Sequence, residues 1–88
     1  MNSLDNFLAD LETKGFKLSD EAIGFIYFGR KYTDASDTIV QVSIELTLML
    51  QQRFDSSFYM SVLEELVSSK LSSRSTMLDH FRKKGIAI

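Results

Sequence analysis

The sequence predicts an α+β fold: an N-terminal helix and two C-terminal helices packed on one face of an antiparallel β-hairpin, in a single domain of residues 1–88. Three observations lead there. From Val40 onward every even position is apolar (Val40, Val42, Ile44, Leu46, Leu48, Leu50), while Gln41, Ser43, Glu45 and Thr47 stand between them. A period of two gives an extended strand one aliphatic face and one polar face. Leu4, Phe7, Leu8 and Leu11 instead recur at the spacing of a helical face, and beyond Gln51 the period changes again, to the stripe Phe58, Tyr59, Val62, Leu63, Leu66 and Val67.

The elements follow in chain order. Ser3 is a candidate N-cap, Asp5 lies in the first turn, and Gly15 supplies a stop for the first helix. Ser19-Asp20-Glu21 resembles a helix start, but Gly24 and Gly29 each cost about 1 kcal/mol inside a helix. The aromatic run Phe25 to Phe28 favours a strand, so Ile23 to Tyr32 is read as the first strand. Thr33 to Asp37 forms the hairpin loop, rich in side chains that bond their own backbone, and Val40 to Leu48 is the second strand. Two helices complete the fold, Ser57 to Lys70 and Ser75 to Lys84, separated by a serine-rich turn. Ile86, Ala87 and Ile88 form an apolar tail.

Composition narrows the function classes. Hydrophobic residues at 44% and charged residues at 25% are ordinary globular values. No apolar run reaches the roughly 20 residues of a membrane span. Asp5 and Asp10 stand where a signal peptide would carry cations, so a cytoplasmic protein is expected. The absence of cysteine removes disulfide and thiol chemistry. Asp34 and Asp37 read as turn makers, without the spacing of a calcium loop. Gly24-x4-Gly29-Arg30-Lys31 lacks the Ser or Thr of a phosphate loop. No nucleophile motif accompanies His80, and no carboxylate pair sits in an apolar stretch. The expectation is a protein with no enzyme activity, no cofactor, no metal and no small-molecule substrate.

Charge is divided along the chain. Residues 70–88 hold five basic residues against Asp79, a net of +4; residues 1–69 hold five basic and eleven acidic, a net of −6. The basic end, S-S-R-S-T-M-L-D-H-F-R-K-K-G-I, resembles the recognition helix of helix-turn-helix regulators, including the C-terminal motif of Fis-like nucleoid proteins. That resemblance implies a DNA-binding regulator whose motif spans residues 65–86. Arg74, Ser75, Thr76, Asp79, His80 and Lys83 would then face DNA, with Arg82 and Lys84 at the border. The chain departs from the pattern at Lys70-Leu71, where a glycine turn is expected, and at Asp79.

A second class of function ranks ahead of DNA binding. Seven Phe and three Tyr are a large aromatic load for 88 residues, and surplus apolar surface marks places of protein contact. The candidates are Tyr27 and Phe28 on the first strand, Ile39 and Met49 on the polar face of the second, and Ile86 and Ile88 in the tail. The expectation is a small regulatory protein, an adaptor, inhibitor or subunit, that acts on a protein partner and self-associates as a homodimer.

Overall fold

The computed structural model describes residues 3–88, and among them it contains five α-helices and no strand: α1 (Ser3–Thr13), α2 (Asp20–Thr33), α3 (Asp37–Gln51), α4 (Ser56–Ser69) and α5 (Arg74–Lys83). The α+β expectation is therefore overturned. Val40 to Leu48 lies within α3, Ile23 to Tyr32 within α2, and the supposed hairpin loop links two helices.

Short polar side chains start four of these helices. The hydroxyls of Ser19, Ser36 and Ser73 accept from the backbone N–H of Ala22, Ile39 and Thr76 at 3.1, 3.2 and 3.3 Å, and the Asp55 carboxylate accepts from Phe58 at 3.0 Å. Each such cap is worth about 1 kcal/mol. At the other end, Asp34, Gln52 and Lys70 close α2, α3 and α4 in the left-handed region, at φ 58°, 59° and 57°. Gly15 closes α1 at φ 95°, and the N–H of Phe16 reaches back to the Leu11 carbonyl at 3.0 Å.

The alternating run forms a helix because α3 is buried on two sides. Val40 and Ile44 are one helical turn apart, as are Val42 and Leu46, and a displacement of two residues rotates the second pair about 200° from the first. Two interleaved helical stripes thus read as a period of two. Val40 and Ile44 join Leu4, Leu11, Ile26, Tyr59 and Leu63 in one buried cluster. Val42 and Leu46 join Val62, Leu66, Met77 and Phe81 in another. Each polar position between them has a partner. Ser43 and Thr47 are fully buried, and their hydroxyls donate to the carbonyls of Ile39 and Ser43, one turn back, at 2.8 and 2.7 Å. Gln41 reaches the Ser3 carbonyl at 3.5 Å, and Glu45 pairs with Arg74.

Helix α2 accommodates Gly29 for a different reason. A Cβ on Gly29 would stand 3.0 Å from Leu63 Cδ2 and 3.0 Å from Tyr59 Cε2, so the bare backbone lets α2 lie close against α4. The Tyr59 hydroxyl fastens the same contact by donating to the Ile26 carbonyl at 2.9 Å. Packing of this kind offsets the roughly 1 kcal/mol that glycine costs a helix. Asp37 ties the first three helices together: it accepts from Ser3 Oγ at 2.6 Å, and Arg30 Nε lies 3.1 Å from its other oxygen as an ion pair, too poorly aligned for a hydrogen bond.

Candidate functional site

Aromatic residues on α2 form a ladder that runs from the core to the surface. Tyr59, fully buried, meets the edge of the Phe25 ring at 6.1 Å, with the planes at 67°. Phe25 in turn lies 5.9 Å from Phe28, and Phe28 stacks on Tyr32 at 5.6 Å with planes only 16° apart. Phe28 is 55% exposed and Tyr32 70% exposed. Fully burying a side chain of this size stabilises a fold by about 1.5–3 kcal/mol, and these two rings forgo a large part of it. The exposed positions of α2 are Asp20, Glu21, Gly24, Phe28, Lys31 and Tyr32. At 100° per residue they occupy one strip about 120° wide.

The other contact candidates are dispersed. Met49, on α3, is 54% exposed. Tyr27 and Ile39 are half-buried against the first cluster, and Ile39, Ile86 and Ile88 help to cover the second. These four residues are part of the packing of the molecule. Sequence reasoning overlooked Tyr32, which stands one helical turn from Phe28 and becomes its neighbour only when α2 is recognised as a helix. It also overlooked Phe16, 47% exposed in the link between α1 and α2.

The basic C-terminal region has helix-turn-helix connectivity, α4 and α5 joined by a link of residues 70–73, with Lys70 left-handed where the motif favours glycine. Carboxylates occupy most of its cations, however. Arg74 pairs with Glu45 of α3, and Arg82 donates to Asp79 at 2.9 Å and to the Ile88 carbonyl at 3.1 Å. Glu65 of α4 takes both His80, at 2.7 Å, and Lys84. The Thr76 hydroxyl is bonded to the Ser73 carbonyl at 2.9 Å. Lys83 has no ion pair among the described residues. Exposed ion pairs add little stability, yet each holds a cation that a phosphate would otherwise have to recruit.

Among the described residues no three side chains of His, Cys, Asp or Glu converge as metal ligands do, and no helix is long and apolar enough to cross a membrane. Burial pushes the Tyr59 phenol above its ordinary range, and its hydroxyl is already committed to Ile26. A family of unknown function (DUF6123) matches residues 1–87, so the chain belongs to that family. No curated protein and no solved structure matches it.

Proposed function

We propose that this protein acts by protein contact, as a small non-catalytic regulatory adaptor, inhibitor or subunit, and that the exposed face of α2 is its contact surface. The observation that carries this reading is the stacked Phe28–Tyr32 pair, two large rings left in water on one helical strip. Aromatic residues of this kind anchor interfaces because they bring much apolar area at a low entropic cost. A cysteine-free chain suits the reducing cytoplasm, where we place it. DNA binding through α4 and α5 is the alternative. Helix-turn-helix connectivity and unpaired Lys83 favour it; the ion pairs of Arg74, Arg82 and Lys84 count against it.

Two double variants separate the readings. A photo-crosslinking side chain placed next to Phe28 in cells should capture a discrete polypeptide, and Phe28→Ala with Tyr32→Ala should abolish that product. Arg82→Ala with Lys83→Ala should leave it intact. Purified protein at tens of micromolar should not retard random duplex DNA at low salt, where even non-specific binding tightens. Retardation that disappears in the Arg82/Lys83 variant would replace the contact reading with the DNA-binding one.

A further inference from the structure

We propose that a second copy of this chain covers the exposed face of α2, the two helices packing antiparallel about a twofold axis at the level of Ile26. This rests on the protein-contact reading and names the partner. The strip is complementary to itself when reversed. Counted from Ile26, Gly24 and Phe28 lie two residues to either side, Glu21 and Lys31 five, and Asp20 and Tyr32 six. Antiparallel pairing therefore sets Phe28 over Gly24 of the second copy and Glu21 against Lys31 of the second copy, each contact made twice.

Two independent features point the same way. Gly24 sits inside α2, where glycine weakens a helix, yet nothing lies within 4 Å of the position a Cβ would take. The fold of one copy gives this glycine no purpose, in contrast to Gly29, whose space is filled by α4. A hollow beside an exposed phenylalanine is what a facing ring requires. The charges form the second feature. Glu21 and Lys31 are exposed and have no ion pair among the described residues, and they stand at opposite ends of the strip, as an isologous contact demands. Parallel pairing would oppose like charges.

Helix α2 has 14 residues and so measures about 21 Å. One pair of such helices buries less than the roughly 800 Å² per partner of a standard interface, so the dimer is weak, with a dissociation constant on the order of 100 µM.

Sedimentation equilibrium of the purified full chain, from about 10 µM to about 1 mM around that constant, tests the pairing. The wild type should pass from monomer to dimer, and Phe28→Ala should weaken the dimer at least about thirtyfold. Glu21→Lys and Lys31→Glu should each weaken it roughly tenfold as single variants. An equimolar mixture of those two variants, or both substitutions in one chain, should restore association, because opposite charges then face each other again. A wild type that stays monomeric overturns the pairing but leaves the protein-contact reading in place, since that reading is decided by crosslinking from Phe28 to another polypeptide. A dimer unaffected by these substitutions also overturns it, and locates self-association on another face.

Discussion

Alanine at the two glycines of α2 should have opposite effects on stability. At Gly24 the new methyl meets nothing within 4 Å, so the variant gains only the helix propensity of alanine, about 1 kcal/mol. At Gly29 the same gain is present, but the methyl arrives 3.0 Å from both Tyr59 Cε2 and Leu63 Cδ2, and 3.3 Å from Met60 Cε. Met60 has a flexible end that can move. Tyr59 cannot move cheaply: it is fully buried, its hydroxyl holds Ile26, and Phe54 packs 5.4 Å from its ring. Overpacking at such a site costs about 1–3 kcal/mol, which leaves a net loss of about 1 kcal/mol. The two variants should therefore differ by about 2 kcal/mol, or roughly 8–16 °C in Tm for a domain of this size. Urea unfolding followed by far-ultraviolet circular dichroism, on protein dilute enough to be monomeric, measures the difference. A Gly29→Ala protein as stable as Gly24→Ala would refute the close approach of α2 to α4.

The remaining predictions test the centre of the fold. Ser43→Lys should destabilise by roughly 3 kcal/mol or more because it places a cation at a fully buried position, whereas a strand with a solvent-facing Ser43 would tolerate it. Thr47→Val should fall within about 1 kcal/mol of the wild type in the same urea assay, since the Ser43 carbonyl keeps its helical bond. Tyr59→Phe should cost about 1 kcal/mol near neutral pH, by loss of the bond to Ile26. Its effect on alkaline stability is opposite in sign. Burial raises the native phenol, so above about pH 10 the unfolded chain releases a proton that the native chain retains. The wild type is thus fully stabilised below that pH and loses up to about 1.4 kcal/mol per pH unit above it, a loss that the phenylalanine variant should lack when denaturation curves are compared across pH.

Helices with a single buried face were legible in the sequence. The stripe from Phe58 to Val67 and the stop at Gly15 follow local rules that the structure obeys. The two central helices were not legible, for different reasons. Helix α3 presents apolar residues to clusters on both sides, and its buried hydroxyls bond their own helix, so its polar positions gave no sign of burial. Helix α2 contains an aromatic run and two glycines, which local preference assigns to a strand; one glycine is explained only by Tyr59 and Leu63, more than 29 residues away in sequence. Of the candidate contact residues, Phe28 was visible as a surplus aromatic, but its companion Tyr32 was not, because a strand would have held them apart. The cations of α5 were visible as a basic run, while Glu45 and Glu65, which neutralise several of them, belong to helices whose placement the sequence does not disclose.

The position of α3 between two clusters also divides the fold by its dependence on α5. The first cluster draws its buried residues from α1 to α4. The second needs Met77 and Phe81 from α5. A chain shortened before α5 would therefore leave Val42 and Leu46, together with Val62 and Leu66, without the cover that those two side chains give. In such a chain the greasiest surface would be not the aromatic strip on α2 but that open flank of its own central helix.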